Sequence, residues 1–499
     1  MALNSSGPIS LGGSTVGQSV NLELKYPAVQ TISLNDVAVR KLAGVLSGKI
    51  SLPSNFWGKS SESYWISLFG LSGVTDNLYK DYSPMDIDDD GNIYVCISSN
   101  ISAVTIKLDK TGQIISSNTV SSSVSKTSLY VYDFDLYNGN IYTASRLPNN
   151  TTYDYACMDI INTSSLQYVS PSRLHTGSAG VEDRRLYFIA INPNNAYKYT
   201  AFNIQSSSDV VGLVINDTNT VIGGINLSST SDAQPSIPSF DSSNNVYWPI
   251  VEYTSTSSQN GTMYKFAHNL LSYSASRRSS NCRWYHSIVL PDSSVVWNTS
   301  IGSTASASVH GITKTDSSLN TIWCKSLNIP ATGSYGYLNR YYDRTMSIDS
   351  DSNIYCLTAN ITNENHVIYK RSSSGVLLWQ RNLTIVDSSG RKYLSLYKRL
   401  IVKDSSIYVY LGSDSVYINP TFYYVRPILL KLPTDGSLTG TYNIGGFTIT
   451  YTESSYTESD QTITNIATIS VTNLSSYASS TYNGYIQASI TPTSTKLDI

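Results

Sequence analysis

Charged residues are scarce in this sequence. Only 14% of the 499 residues are Asp, Glu, Lys or Arg, and the formal net charge is −2. A nucleic-acid-binding surface needs a basic face, so we expect no nucleic-acid partner. Apolar runs long enough to span a bilayer are also missing, so we expect no membrane insertion. The N terminus has neither the basic nor the apolar region of a secretory signal.

Cysteine and histidine are sparse as well. The five cysteines are an odd number without a C-x-x-C pair, and Cys96 and Cys356 lie in apolar runs, which is typical of buried free thiols. The five histidines have no metal-ligand spacing and are interpreted as surface or strand-face residues. Nucleophile and phosphate-loop motifs are missing too. We therefore expect no metal, no cofactor and no enzymatic activity, with a propeller-type glycan-degrading enzyme as an alternative.

Tyrosine is the residue type in excess, with 39 Tyr against 9 Phe. Tyr, Thr, Val and Ile favour half-buried pleated surfaces, whereas Ser, Asn, Asp and Gly favour turns. The mixture predicts an all-β protein.

The stretch from Met85 to Cys96 reveals how the chain is organised. Asp86, Asp88 and Asp90 match the opening of an EF-hand loop, but the twelfth position is Ile97 rather than a bidentate Glu. The residues after Gly91 alternate between apolar and polar, as in a strand. We interpret the stretch as strand, polar turn, strand, with the acids shaping the turn.

Variants of this stretch recur at seven places, each with an acidic or polar turn before an aromatic residue. They are Asp88–Tyr94, Asp135–Tyr142, Asp183–Tyr187, Asp241–Tyr247, Asp292–Trp297, Asp349–Tyr355 and Asp404–Tyr408. A second marker, an apolar run ending in Lys, follows most of the aromatics. It is found at Val104–Lys107, Met263–Lys265, Ile312–Lys314, Val367–Lys370 and Ile428–Lys431.

A repeat of about 50 residues with four short strands is the signature of a β-propeller blade. The seven copies predict a seven-bladed β-propeller over residues 61–445, with six or eight blades as alternatives. The segment Tyr64–Leu68 is predicted to close the ring as the outer strand of the last blade, which removes an exposed edge. Ser437–Ile444 competes for that position.

Two smaller regions flank the repeats. Residues 1–60 contain strand-like pieces at Pro8–Gly12, Ser19–Tyr26 and Gln30–Leu34, and a helix is predicted over Val37–Ala43. Residues 446–499 are interpreted as a small β appendage that packs on the ring or pairs with the N-terminal module.

The N-terminal region resembles a module that opens many virion proteins of tailed bacteriophages, including tail-fibre and tail-tip proteins. The similarity covers about the first 60 residues. It is carried by Gly7–Ser14, Ser19–Leu24, Ile32–Val45 and Phe56–Ser60. The resemblance implies a particle-anchoring module followed by a variable functional body, with a generic β-rich cap as the alternative. The apolar residues assigned to virion anchoring are Ile9, Leu11, Leu22, Leu24, Ile32 and Leu34.

Grouped tyrosines are the candidate binding residues, because Tyr offers a large, rigid contact area with a polar tip. The candidates are Tyr335, Tyr337, Tyr341, Tyr342, Tyr423 and Tyr424. Plain strand tyrosines are the alternative. Whether Asp135, Asp349 or Glu252 converge on the propeller channel is left open by a one-dimensional pattern.

Together these features predict a structural protein of a tailed-phage virion, made in the host cytoplasm and present in multiple copies by symmetry. The leading hypothesis is a tail-fibre or tail-tip adhesin that contributes to host attachment. Its expected partners are other virion proteins, through the N-terminal module, and a host surface glycan or receptor. The alternative is a scaffold or decoration protein of the neck, baseplate or capsid without receptor contact.

Overall fold

A computed structural model gives the fold of most of the chain. It describes residues 3–4, 6–24, 26–43, 49–52, 64–71, 84–98, 102–122, 130–149, 153–176, 186–204, 209–227, 233–253, 259–270, 273–280, 282–302, 308–331, 344–360, 362–395, 398–412, 416–418, 421–423, 426–463, 465–466, 472–473, 477–481, 485–487 and 491–499. No helix within these ranges is long and apolar enough to cross a membrane. The chain divides into two compact units, Met1–Trp65 with Asp498–Ile499, and Ile66–Leu497.

The first unit contains two short helices, α1 (Val20–Glu23) and α2 (Val37–Ala43). The predicted helix over Val37–Ala43 is confirmed. A small apolar cluster holds the unit together. Its buried members are Leu3, Val20, Val39, Leu42, Ala43 and Ile50, and Ile9, Leu11, Leu24, Ile32 and Leu34 pack against them.

The predicted strand at Ser19–Tyr26 is wrong at its centre, because Val20–Glu23 is helical. Ser19 caps this turn by accepting a hydrogen bond from the amide of Leu22. Apolar residues at 20, 22 and 24 fit a strand, but positions 20 and 24 also share one face of a helix. The structure uses the helical spacing, since Val20 and Leu24 join the cluster and Leu22 does not.

The second unit is nearly all β. After β1 (Trp65–Leu71), the chain forms seven large antiparallel sheets in sequence order. Sheet 1 contains β2 (Met85–Ile87), β3 (Ile93–Ser98), β4 (Ser102–Leu108) and β5 (Ile114–Ser122). Sheet 2 contains β6 (Tyr130–Tyr137), β7 (Asn140–Asn149), β8 (Tyr153–Asn162) and β9 (Tyr168–Thr176). Sheet 3 contains β10 (Leu186–Ile191), β11 (Lys198–Ile204), β12 (Asp209–Ile215) and β13 (Val221–Leu227).

The next three sheets repeat this order with short additions. Sheet 4 contains β14 (Ala233–Pro235), β15 (Ser239–Phe240), β16 (Val246–Tyr253), β17 (Gln259–Phe266) and β18 (Tyr273–Ser280). Sheet 5 contains β19 (Cys282–Val289), β20 (Val295–Ile301), β21 (Ser308–Thr315) and β22 (Thr321–Ala331). Sheet 6 contains β23 (Met346–Ile348), β24 (Ile354–Asn360), β25 (Asn365–Arg371), β26 (Leu377–Asp387) and β27 (Lys392–Tyr393).

Sheet 7 closes the ring. It contains β28 (Lys398–Lys403), β29 (Ser406–Leu411) and β32 (Ile428–Pro433), and a separate hairpin of β30 (Val416–Ile418) and β31 (Thr421–Tyr423) lies between the last two in sequence. Its fourth strand is β1, so the predicted closure by the segment at Tyr64–Leu68 is correct. Each sheet contacts the next, and β28 of sheet 7 contacts β2 of sheet 1. The chain is therefore a β-propeller, as the repeat predicted.

The C-terminal segment runs around the outside of this ring. Its strands are β33 (Gly440–Ile444), β34 (Phe447–Glu453), β35 (Glu458–Asp460), β36 (Asn465–Ile466), β37 (Thr472–Asn473), β38 (Tyr477–Thr481), β39 (Tyr485–Gln487) and β40 (Pro492–Asp498). From β34 onwards, each adds a strand to the outer edge of one sheet, in the order 6, 5, 4, 3, 2, 1 and 7. We call residues 446–499 the belt. Ser437–Ile444, the competitor for ring closure, instead pairs with β34 on sheet 6 through β33.

The turn between the first two strands explains the repeated aspartate. In sheet 1, the Asp88 carboxylate accepts hydrogen bonds from the amides of Asp90 and Asn92, the side-chain amide of Asn92 and the hydroxyl of Tyr94. Asp241 and Asp349 are bound in the same way in sheets 4 and 6. These acids shape turns, and no group of His, Cys, Asp or Glu in the described ranges has the arrangement of a metal site.

The repeated lysine joins neighbouring sheets. It lies on the third strand, where the Lys107 ammonium sits 5.3 Å from the ring centroid of Tyr94. The same ammonium donates to the carbonyl of Thr163 in the next sheet at 3.4 Å. Lys265 and Lys314 likewise reach the carbonyls of Ser317 and Ser373 in the sheets that follow them. Both sequence markers therefore have a structural cause.

Three of the seven predicted repeats were placed in the wrong register. In sheet 5, Leu290 rather than Asp292 begins the turn, and Lys314 pairs with Val296 rather than Trp297. In sheet 3, Tyr187 lies on the first strand β10, and the second-strand aromatic is Tyr199. Asn192 takes the place of Asp there. Its backbone N–H donates a hydrogen bond to the carbonyl of Tyr197 across the turn. In sheet 2, the turn is made by Asn138 and Gly139, both with positive φ, while Asp135 lies on the first strand.

Replacing Asp349 with Ala should destabilise the ring by about 1–3 kcal/mol, because the amides of Asp351 and Asn353 and the hydroxyl of Tyr355 lose their shared acceptor. Asp351→Ala removes an equal charge from an exposed position of the same turn and is the matched control. Urea unfolding of both variants measures the difference, and equal stabilities would contradict the turn-capping role.

Candidate functional site

The first strands of the sheets form the inner edge of the ring, and charged side chains from several of them meet there. Asp86 lies on β2, Asp133 and Asp135 on β6, and Arg399 on β28. Arg344 precedes β23 and forms an isolated parallel bridge with Arg399. Residues more than 200 positions apart in sequence are thereby brought into direct contact. We call these five residues the inner charge cluster.

Asp133 is the centre of the cluster and is 1% exposed. One carboxylate oxygen accepts a hydrogen bond from Arg399 Nη1, and the other accepts from Arg344 Nη2 at 3.1 Å. The amide of Ile189 in sheet 3 also donates to Asp133, at 3.3 Å. A buried carboxylate with two guanidinium partners and a backbone donor has its charge well compensated.

Asp135 and Asp86 extend the cluster on either side. Arg344 Nη1 lies 3.3 Å from Asp135 Oδ1, and the amide of Ile191 donates to Asp135 Oδ2 at 2.8 Å. Asp86 Oδ2 accepts from the amide of Leu136 at 3.0 Å. Hydrogen bonds of the cluster therefore link sheets 1, 2, 3, 6 and 7, on both sides of the joint where the ring closes.

Burial perturbs the pKa of Asp86. Loss of solvation raises the pKa of Asp86 to about 7, and repulsion from Asp135 adds to this effect, while Arg399 and Arg344 oppose it. This shift favours the protonated form of Asp86 at the inner edge of the ring. With Asp86 protonated, two guanidinium groups face two carboxylates, and the formal charges of the cluster balance.

Three buried histidines remain neutral for the same reason. Burial lowers the pKa of His286 to about 3, and the positive charges of Arg344 and Arg399 contribute. His310 and His366 are also held near 3 by burial. His310 Nε2 bonds to the hydroxyl of Tyr369 at 2.6 Å, and His366 Nε2 contacts the carbonyl of Ser395 at 3.1 Å. These histidines are packing residues inside strands.

The chemistry of the cluster follows from its partners. A general acid or nucleophile must be free to reach a substrate, but Asp133 and Asp135 are held by guanidinium and backbone donors. The two arginines are held in turn, since Arg399 Nη2 donates to the carbonyl of Phe134 and Arg344 Nη2 to that of Ile189. The arrangement is suited to tying inner strands together.

The predicted site residues that the structure describes are spread over several elements. Of the acids considered, Asp135 joins the cluster, Asp349 caps a turn, and Glu252 belongs to β16 of sheet 4. Tyr423 ends β31, and the other candidate tyrosines lie outside the described residues: Tyr335, Tyr337, Tyr341, Tyr342 and Tyr424. Five of the six predicted anchoring residues pack within the N-terminal unit, and Leu22 is half-buried outside that cluster.

Sequence reasoning missed the two arginines, although a signal for them was present. Arg344 and Arg399 each lie five positions before the turn aspartate of their repeat, Asp349 and Asp404. The equivalent position before Asp241 is Ser236. Arginines at the same position of two successive repeats therefore indicated two buried cations, and buried cations need acidic partners.

Comparison with known proteins identifies no family for this chain. No protein-family model matches it, and no curated protein matches it. Among solved structures, it is similar to a subtype N11 neuraminidase-like protein of A/flat-faced bat/Peru/033/2010 (H18N11). The identity is 9%, the TM-score is 0.36, and the match covers 75% of this chain and 95% of that chain.

Replacing Asp133 with Ala should destabilise the ring by about 3–5 kcal/mol, because Arg344 and Arg399 would both lose their shared buried counter-ion. Asp89→Ala is the matched control, since Asp89 is fully exposed and its contact with Lys403 is a surface ion pair. Thermal unfolding of the full chain measures both effects. A control-like result for Asp133→Ala would show that the cluster does not hold the ring.

Replacing Asp86 with Asn should stabilise the protein at alkaline pH by an amount of the order of 1 kcal/mol. Folding raises the pKa of Asp86 from 3.8 to about 7, so the stability that its proton contributes is complete at acid pH and is lost as pH rises through about 7. Asn cannot ionise and still presents an oxygen to the amide of Leu136. Unfolding at pH 5 and pH 8.5 should give a larger gain at pH 8.5, and an equal gain at both would contradict this assignment.

Proposed function

We propose that this chain is a structural protein of a tailed-bacteriophage particle, held in the particle by its N-terminal module and contributing to host attachment through its propeller. The observation that carries the proposal is the N-terminal unit. The residues that resemble a phage virion module belong to a compact unit with its own apolar cluster, distinct from the ring. An attachment module that folds by itself suits a body that varies independently.

The N-terminal unit also carries unusual exposed apolar residues. Val29 is 93% exposed, Val37 is 81% exposed and Val16 is 54% exposed. A unit of this size needs most of its apolar residues in its core, and exposed apolar residues often mark contact sites. These valines are therefore candidates for contact with another particle protein. Since Ile9, Leu11, Leu24, Ile32 and Leu34 pack inside the unit, their contribution to anchoring would be to maintain its fold.

The ring supports a role as a rigid body displayed on the particle. Every large sheet has its outer edge covered by the belt, and open edges invite unwanted pairing in a crowded assembly. In the proposal the ring is not an enzyme, consistent with the engaged carboxylates of Asp133 and Asp135. A scaffold role without receptor contact is the alternative within the same class.

Replacing Val29 and Val37 together with Asp should reduce the amount of this protein in purified particles at least tenfold, because the charges would prevent an apolar contact. Val376→Asp is the matched control, since it changes a 59% exposed valine of the ring. Immunoblotting of particles measures incorporation, and unchanged thermal unfolding would verify that the module still folds.

Deleting residues 1–60 provides the stronger form of the same test, and particles that retain the truncated protein would overturn the anchoring role. The remaining chain should span residues 61–499, because ending it at 445 would remove the belt. Binding of residues 61–499 to host cells would support adhesion. Full incorporation without any cell binding would favour the scaffold role.

A further inference from the structure

The belt pairs with all seven large sheets of the ring. It pairs with sheet 6 through seven residue pairs, from Arg381↔Glu453 to Asp387↔Phe447. Among the described residues it pairs with sheets 4 and 3 through two residue pairs each, at Asn465–Ile466 and Thr472–Asn473. Side-chain contacts add to this pairing, since Arg277 Nε of sheet 4 donates a hydrogen bond to Asn465 Oδ1 at 2.6 Å.

Several side-chain contacts between belt and ring lie where the belt crosses from sheet 6 to sheet 5. The aromatic side chain of Tyr456 packs against an apolar cluster shared by these two sheets. The cluster includes Leu327, Met346 and Ile354. Its hydroxyl accepts a hydrogen bond from Asn360 Nδ2 at 2.7 Å, and Asn360 is completely buried. A tyrosine with an apolar body and a satisfied hydroxyl makes a specific anchor.

Gln380 of sheet 6 forms hydrogen bonds with the belt backbone at Tyr456. Its Nε2 donates to the carbonyl of Tyr456 at 3.0 Å, and its Oε1 accepts from the amide of Tyr456 at 3.2 Å. The Ser454 hydroxyl donates to the same oxygen at 2.8 Å. The Gln380 side chain thus forms the two backbone hydrogen bonds that a neighbouring β-strand would form with Tyr456.

A buried ion pair between Arg371 and Glu458 also holds the belt where it passes from sheet 6 to sheet 5. Arg371 on β25 is 1% exposed, and its Nη1 donates to Glu458 Oε2 and, at 2.9 Å, to the carbonyl of Gly375. Lys325 of sheet 5 lies 4.0 Å from the other carboxylate oxygen of Glu458. A guanidinium at this depth needs a counter-ion, and Glu458 from the belt is the carboxylate that supplies it.

We propose that the joint between sheets 5 and 6 is a binding site for an extended strand with the sequence Tyr-x-Glu, and that Tyr456-Thr457-Glu458 occupies it as the clasp of the belt. Asn360 and Gln380 recognise the tyrosine and its backbone, and Arg371 recognises the carboxylate. With the clasp in place, the belt segments on sheets 4 and 3 stay paired. With the clasp open, those segments leave the ring while the inner strands remain folded. This inference is independent of the phage assignment.

Glu458→Gln in the full chain tests the clasp by amide hydrogen exchange. We expect exchange to rise about tenfold or more at Asn465–Ile466 and Thr472–Asn473, while the ring strand Ile354–Asn360 stays protected. Glu453→Gln is the matched control, because Glu453 lies on the same belt, is 83% exposed and lies 3.9 Å from Arg381. The control should leave both belt segments unchanged.

Two outcomes would overturn the proposal. Exchange that rises only around residues 454–461 would mean that the clasp does not control the rest of the belt. Exchange that rises equally in Ile354–Asn360 would mean that belt and ring open together. Tyr456→Phe removes one hydroxyl from the site and should give a smaller rise at the same segments, so the test stands if Glu458→Gln does not fold.

A peptide of residues 452–462 tests recognition directly. It should bind the Glu458→Gln full chain, whose site is weakly occupied, and the same peptide with Gln at position 458 should bind at least tenfold more weakly. Equal binding of both peptides would remove the carboxylate from the recognition.

Discussion

The need to pair strand edges governs this structure. A propeller sheet has one edge at the ring axis and one at the outside, and every unpaired outer edge is a site for association. The chain meets this constraint twice. β1, from before the first sheet, completes sheet 7, and the belt then covers the outer edge of every large sheet in turn. The ring is thereby closed by strands from both ends of the second unit.

Polar side chains join the sheets of the ring in three places. Near the turns, Asp caps the hairpin, Tyr bonds to the Asp, and Lys crosses to the next sheet, as for Asp88, Tyr94 and Lys107. At the inner edge, Arg344 and Arg399 join the acids of sheet 2 across the closing joint. The outer belt is tied by Glu458 to buried Arg371. At the inner edge and at the belt, a buried charge has its counter-ion on another element, so these charge pairs favour the closed ring over its separate parts.

Local chemistry allowed much of the fold to be predicted. The hairpins at Asp88, Asp241 and Asp349 follow from turn residues that bond to their own backbone, and the third-strand lysines repeat with them. The repeat in sheet 3 was aligned wrongly on Tyr187, because its turn begins with Asn192 instead of Asp. The strand predicted at Ser19–Tyr26 was wrong because its apolar spacing satisfies two periods, and packing against Val39 and Leu42 selected the helix.

The sequence by itself determined the all-β class, the repeat, the closing strand and the helix over Val37–Ala43, since these depend on neighbours a few residues apart or on the same signal recurring. Only the tertiary structure decided where Asp133 meets Arg399, how Glu458 reaches Arg371, and that the C-terminal appendage is a belt. Those contacts join residues far apart in the chain, and the belt strands are two to seven residues long with little apolar periodicity. Their partners exist only once the ring has formed.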